Sequence, residues 1–381
     1  MIGRHNPIET ALVGHRGEQT NAQRVEPIAE RPMTVEKTRV GVQIDGVHGN
    51  ADAGQTLLSS AGVSRSMQPE GSTGARAADR MLILNPESGS QNHVDDVVEL
   101  GGEHGFDIRK TEESGDAKRL ARDAAPTADL IAAVGGDGTV NGVVNGIAAA
   151  DELETTTLAV VPAGTGNNFA TNIGIQGIEH AFTVLEEGRR RSIDVGAAND
   201  RRFVNSCVGG ITAEASRKTT AESKADLGVL AYVKNTLETV GSFDSLPLRV
   251  ETAAGPNGRR TQAWTGNATF VLIGNCRRFT GARTAQANVE DGLLEVTIVE
   301  DVPAVNLLGE AALKRLFGGD SSYIVRRRTP SLVIESTRDA ITYSLDGEML
   351  ETETLYLETN PRTLRVAVGD GYEPDPDDGV L

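Results

Sequence analysis

The chain has 381 residues, enough for two domains that each bury a core, with 38% apolar but only 4% aromatic residues. A net charge of −17 without a long basic run speaks against general nucleic-acid binding. No stretch approaches the roughly 20 apolar residues of a membrane-spanning helix, and the opening MIGRHNPIETALVGHRG lacks the apolar segment of a secretory signal, so a cytoplasmic protein is expected.

Arg supplies 30 of the 37 basic residues against 54 acidic ones. That balance resembles a protein adapted to a very salty cytoplasm, where repulsion between carboxylates is screened within a few Å; an ordinary acidic protein is the alternative. Cys207 and Cys276 have no metal-ligand spacing and read as buried free thiols. The six histidines form no HxxxH or HExxH pair, which argues against a zinc enzyme.

Residues 1–79 mix Gly, Gln, Ser, Asn and Glu, with only short pieces such as Thr38–Ile44 alternating like a strand. They are expected to be a disordered N-terminal extension. From residue 80 to about 200, strands and helices alternate. Met81–Leu84 reads as a strand, Val94–Gly101 as a helix, Phe106–Lys110 as a strand and Asp116–Asp123 as a helix. Asp129–Val134 is an apolar strand, followed by a turn at Gly135–Asp137 and a helix through Ile147; Thr157–Val161 is the next strand. Such alternation predicts a parallel sheet and a Rossmann-like α/β domain.

From 201 to 369 the pattern changes to strands separated by Gly- and Asn-rich turns. The strands are Arg202–Asn205, Leu246–Thr252, Ala268–Ile273, Leu293–Val299, Ser331–Glu335, Leu355–Thr359 and Arg365–Val368, with helices near Leu227–Val240 and Val305–Phe317. A β-sandwich second domain follows. The tail at 370–381, GYEPDPDDGVL after Asp370, is acidic, Pro-rich and expected to be disordered.

GGDGTVNGVVNG (Gly135–Gly146) follows the apolar strand and opens a helix. Glycine lets backbone approach a ligand closely, and a helix N-terminus offers unpaired N–H groups to a phosphate. Asp137 inside such a loop would repel phosphate, so it serves either a metal or the hydrogen bonding of the loop itself. A second loop, PAGTGNNFA (Pro162–Ala170), follows the next strand, and NPESG (Asn85–Gly89) follows the first. Loops at the carboxyl ends of neighbouring parallel strands line one crevice, where open α/β sheets bind nucleotides.

Together with SLDGE (Ser344–Glu348), these segments resemble the catalytic family of the diacylglycerol kinases, which includes bacterial and archaeal lipid kinases and sphingosine kinases. The resemblance covers roughly Met81 to Gly369. GGDGT alone is shared with NAD kinases and phosphofructokinases; the GTGNNFA and NPxSG segments select the lipid-kinase branch. The resemblance implies a nucleotide-binding α/β domain, a β-sandwich domain and ATP in the cleft between them. It implies nucleotide contacts from Asn85, Thr111, Gly135, Gly136, Asp137, Gly138, Thr139, Val140, Asn141, Gly142, Gly164, Thr165 and Asn168. Many relatives carry Asp where this chain has Asn168, which puts a metal-related role there in doubt.

Asp346 and Glu348 are two apart, so on an extended strand they share one face, and phosphoryl transfer needs an acceptor for the attacking hydroxyl's proton. An Asp-Gly hairpin turn is the competing reading. Within the resemblance they are the catalytic carboxylates, with Glu348 ahead of Asp346 as the proton acceptor. ANVEDGLLEVTIVE (Ala287–Glu300) resembles the segment that holds a structural Mg²⁺, implying ligation by the Asp291 carboxylate and the backbone carbonyls of Asn288 and Leu293; Asp194 matches a position in a water–Mg²⁺ network. The Arg triplets at 189–191 and 326–328 either touch lipid headgroups or ATP phosphates, or are solvated strand edges.

The resulting expectation is an ATP- and Mg²⁺-dependent lipid kinase acting on diacylglycerol or a related lipid alcohol, peripheral at the inner membrane surface, with a homodimer left open. An NAD kinase-like phosphotransferase and a nucleotide-binding regulator without turnover are the alternatives.

Overall fold

A computed structural model describes residues 79–210, 245–254, 261–280, 283–301 and 321–376. The helices expected near 227–240 and 305–317, the strand-like piece at 38–44 and residues 1–78 lie outside the described residues.

In the first half, β1 (Arg80–Leu84), β2 (Asp107–Lys110), β3 (Leu130–Gly135) and β4 (Thr157–Pro162) run parallel in the order β2-β1-β3-β4. Every residue of β3 is buried, as its unbroken LIAAVG run requires of a strand covered on both faces. The connections are α1 (Val94–Glu103), α2 (Asp116–Ala124) and α3 (Asp137–Ala149); α4 (Asn168–Asn172) and α5 (Ile178–Glu187) follow β4. From β1 the chain moves outward to β2, then returns across to β3. The strand order therefore reverses between β1 and β3, and a crevice opens at their carboxyl ends.

The second half is antiparallel. β5 (Arg189–Ala198) leads through β6 (Arg201–Phe203) and β7 (Ser206–Gly209) to β8 (Leu246–Thr252) and β9 (Gln262–Gly274). After the separate hairpin of β10 (Arg277–Thr280) and β11 (Arg283–Gln286) come β12 (Leu294–Glu300), β13 (Ile324–Thr329) and β14 (Ser331–Ser336). β15 (Ile341–Leu345), β16 (Glu348–Thr352) and β17 (Thr354–Val368) complete it. The two domains share one hydrogen-bonded sheet, because β17 pairs β14 at its start, β5 along most of its length and β4, in parallel, at Val366. One apolar core gathers around Leu82, Ile131, Val161 and Phe169; the other, between the sandwich strands, around Phe203, Leu248, Val271, Ile298 and Tyr343.

Three expectations change. The strands expected at 355–359 and 365–368 are one strand, whose register slips only between Asn360 and Leu364, where Pro361 has no N–H to pair. The strand expected at 202–205 is broken after Phe203, because the N–H groups of Val204, Asn205 and Ser206 turn onto the Asp346 carboxylate. The tail is packed through Tyr372 and Asp375 rather than loose along its whole length. Tyr372 is only 3% exposed and donates its hydroxyl to Glu290 at 2.9 Å, while Asp375 accepts from Asn288 Nδ2 at 3.0 Å. No described helix is long and apolar enough to cross a membrane.

Candidate active site

A cleft of about 510 Å³ lies at the carboxyl ends of β1, β3 and β4. One wall is built from the three glycine loops. Asn85 Nδ2 donates to Thr139 Oγ1 at 3.1 Å, which ties the loop after β1 to the first turn of α3. The loops after β3 and β4 touch so closely that a Cβ on Gly164 would lie 2.3 Å from the Cα of Gly136, so glycine is required there. Asn167 braces the second loop, accepting from the Gly164 N–H at 3.0 Å and donating to its carbonyl at 2.8 Å.

Asp137 holds the loops by hydrogen bonds. Its carboxylate accepts the backbone N–H groups of Asn168 (3.1 Å) and Phe169 (2.9 Å), and the side-chain amides of Asn168 (2.9 Å) and Asn205 (3.2 Å). It latches the two loops and the β6–β7 bend together, and those four donors offset its charge.

The opposite wall comes from the sandwich domain: Asn205, Ser206, Arg277 and the turn Ser344–Glu348. Asp346 and Glu348 do not share a face of an extended strand. Leu345 pairs with Glu348, and Asp346-Gly347 is the two-residue turn between β15 and β16, with φ of 49° and 105°. Both residues need positive φ in a type I′ turn, which Asp-Gly suits. The half-buried Asp346 carboxylate accepts the N–H groups of Val204 (2.6 Å), Asn205 (3.0 Å) and Ser206 (2.8 Å) and the Asn141 amide (3.1 Å). Burial pushes its pKa up to about 6 against the pull of these donors, with the nearby Asp137 charge adding to the rise. Glu348 is exposed at the cleft mouth, and no hydrogen bond or ion pair engages its carboxylate among the described residues.

Of the residues expected to contact nucleotide, Asn85, Gly136, Asp137, Gly138, Thr139, Gly164, Thr165 and Asn168 line the cleft. Gly135, Val140, Asn141, Gly142 and Thr111 do not. Helical periodicity turns Val140 into the core and Asn141 toward Asp346 and the Arg202 carbonyl, while Gly142 packs on Ala117. Thr111 follows β2, with its N–H on the Leu84 carbonyl. Ser88 and Ser344, inside the NPESG and SLDGE segments, line the cleft without having been singled out; Asn205, Ser206 and Arg277 lie in no motif, and only the return of the sandwich domain brings them there.

Of the residues expected to hold Mg²⁺, Asp291 has both carboxylate oxygens engaged by protein donors. Asp291 accepts the Leu293 N–H at 2.9 Å with one oxygen and pairs with Arg328 through the other. The Asn288 side-chain oxygen accepts the Glu290 N–H at 2.9 Å, and the Glu290 carbonyl accepts the Arg362 guanidinium at 3.0 and 3.1 Å. Asp194, fully buried, accepts the N–H groups of Gly292 (2.7 Å) and Arg362 (2.8 Å), and burial pushes its pKa up to about 6. Guanidinium and N–H donors thus occupy both oxygens of Asp291, the carboxylate expected to ligate the ion. No group of three or more His, Cys, Asp or Glu side chains able to hold a metal occurs among the described residues.

The Arg triplets also face protein. Arg190 donates to the Val184 and Gly188 carbonyls at the end of α5, Arg191 forks onto Glu290, and Arg328 joins Arg278 on Glu295. None of them lines the cleft. Both cysteines are buried free thiols.

Residues 79–198 match the model of the diacylglycerol kinase catalytic domain, and residues 205–368 that of the YegS C-terminal NAD kinase β-sandwich-like domain. A Pectobacterium atrosepticum protein named "Probable lipid kinase YegS-like" is 32% identical over 291 residues, 74% of this chain and 94% of its own length. A Yersinia enterocolitica protein of the same name is 32% identical over 75% of this chain and 95% of its own. A crystal structure of a diacylglycerol kinase from Bacillus anthracis superimposes with a TM-score of 0.58 at 21% identity, over 77% of this chain and 98% of that one. A second crystal structure from that organism gives 0.64 at 24% identity, over 80% and 100%.

Proposed function

Because the chain belongs to the YegS-like lipid kinases of the diacylglycerol kinase family, we propose that it transfers the terminal phosphoryl group of ATP to a hydroxyl of diacylglycerol or a related lipid alcohol. The observation that supports this reading best is the cleft itself. Glycine loops Gly136–Thr139 and Gly164–Gly166 form one wall, and an uncommitted carboxylate, Glu348, stands on the other.

The triphosphate lies along the glycine loops, where N–H groups at the start of α3 face the cleft and Gly138 leaves room for close approach. Magnesium arrives with ATP as part of the substrate and offsets phosphate charge. The lipid hydroxyl enters from the mouth. A bond forms from its oxygen to the γ-phosphorus as the bond to the β–γ bridging oxygen breaks, ADP leaves, and Glu348 takes the hydroxyl proton. Asp346, with its oxygens engaged by four donors, fixes the turn that carries Glu348. A lipid substrate places the enzyme peripherally at the inner membrane surface.

The test incubates the protein at high salt with γ-labelled ATP and a panel of diacylglycerol, a sphingoid base, an ether-lipid alcohol and NAD. Label in a lipid supports the reading. Label in NAD alone supports an NAD kinase-like reading, and label in none of them contradicts the proposed activity.

A further inference from the structure

Resting on the lipid-kinase reading of the cleft, we propose that Ser206 and Ser344 determine its acceptor specificity. Their hydroxyls donate to oxygen atoms on the carbons next to the hydroxyl that is phosphorylated, so that the acceptor is a glycerol-type lipid and not a plain long-chain alcohol.

The direction of both side chains follows from the pairing of β7 with β15, in which Ser344 lies opposite Val208 and Leu345 opposite Cys207. Successive side chains of a strand point to opposite faces. Cys207, Tyr343 and Leu345 enter the core of the sandwich. Ser206, Val208 and Ser344 therefore take the other face, and all three line the cleft. Ser206 is only 4% exposed, yet neither serine hydroxyl engages a partner among the described residues. A hydroxyl withdrawn from bulk water and left unpaired is costly; one that faces a ligand cleft is paired when the ligand arrives. The two serines are diagonal neighbours across the strand pair, roughly 7 Å apart. They are too far apart to bond each other and close enough to grip one headgroup, with Val208 beside both as an apolar rest for its carbons.

Their place in the wall decides what they meet. The glycine loops that take the triphosphate form the opposite wall, whereas the serines stand with Glu348. Ser344 is two residues before Asp346, and Glu348 opens β16 opposite Leu345. The Ser206 N–H donates to Asp346 at 2.8 Å, so one carboxylate fixes both Ser206 and the turn that carries Glu348. A lipid whose hydroxyl reaches Glu348 lays its next carbons on Ser206, Val208 and Ser344. An ionised carboxylate only accepts hydrogen bonds, whereas a serine hydroxyl can donate to a ligand oxygen. An ester, an ether or a second hydroxyl each places an oxygen on the neighbouring carbon. A plain alkanol has methylene there and leaves both serines unpaired, which is how a polar site rejects an analogue lacking the matching group.

The experiment uses the full chain, γ-labelled ATP and three acceptors of matched chain length: a diacylglycerol, a dialkylglycerol ether, and a branched long-chain alcohol with methylene in place of their oxygens. Values of kcat/KM on each, and ATP affinity by calorimetry, are compared for wild type, Ser206→Ala and Ser344→Ala. Alanine keeps the backbone N–H that Ser206 gives to Asp346. Wild type should prefer the oxygen-bearing lipids over the methylene analogue by at least about tenfold. Each variant should shrink that preference about three- to tenfold, with ATP affinity within about twofold. Shrinkage with the diacylglycerol alone assigns the ester carbonyl as the partner, and shrinkage with both lipids assigns the oxygen they share. An unchanged preference in either folded variant would overturn the paired assignment, as would a loss that appears in ATP affinity. If one variant does not fold, the other decides. A wild type that labels the methylene analogue as well as the glycerol lipids would refute the specificity and leave the lipid-kinase reading standing. A wild type that labels no lipid would sink that reading, and the role of the serines with it.

Discussion

The side-chain amide of Asn168 donates to the Asp137 carboxylate at 2.9 Å, so the second glycine loop is fastened to the first by an amide rather than faced by another acid. Asn168→Asp would set two carboxylates against each other where one now accepts. The expected loss is about 1–3 kcal/mol of stability. Thermal unfolding of the two proteins checks this; a variant as stable as wild type would remove the latch from the account.

Gly138→Val probes the phosphate wall. A Cβ at Gly138 meets nothing within 4 Å, so the branched side chain projects into open space without disturbing the fold. That space is part of the cleft. Calorimetry should show ATP affinity reduced by more than about tenfold, near 1.4 kcal/mol, with the unfolding temperature unchanged. Intact affinity in the variant would mean that phosphate does not approach this loop.

Asp194 makes stability depend on pH in a defined direction. Burial raises its pKa from 3.8 in the unfolded chain to about 6, with Asp291 adding to the rise and the Gly292 and Arg362 N–H groups and the Arg362 charge opposing it. The folded state therefore holds this proton where the unfolded state has lost it. Its contribution is fully present below about pH 4 and is lost as pH rises through about 6, an effect on the order of 2 kcal/mol. The stability difference between wild type and Asp194→Asn, measured by urea unfolding, should shift toward the variant across that window. A difference independent of pH would show that Asp194 does not titrate there.

Much of the nucleotide half was legible in the sequence because its signals are local. An unbroken apolar run such as LIAAVG is a buried parallel strand, and the glycine loop directly after it lines the cleft. The sandwich half was harder. In β9 only the last seven residues are continuously buried, whereas QAWTGN alternates with solvent, so a 13-residue strand resembled one about half as long. In β17 the Asn-Pro-Arg interruption looked like a turn, although the strand merely shifts register there. Within the site, GGDGTVNG announced a nucleotide loop but not where it turns inward; that follows from the helical period placing Val140 in the core. Asn205 and Arg277 carried no local signal, because strands distant in sequence must meet to bring them to the cleft. For a related reason the pairing of Asp291 with Arg328 was not legible, since the two lie 37 residues apart.

The central claim is that Glu348 accepts the proton of a lipid hydroxyl while Asp346 holds the turn. It is tested most directly by the rate of label transfer from γ-labelled ATP to the best lipid alcohol in wild type, Glu348→Gln and Asp346→Asn, with ATP affinity measured alongside. Loss of a general base typically costs about 10²–10⁴ in rate. The account predicts a fall of that size in Glu348→Gln with ATP affinity within a few-fold, and a milder fall in Asp346→Asn. The reverse order would make Asp346 the base, and near-wild-type transfer in both variants would contradict the proposed chemistry altogether.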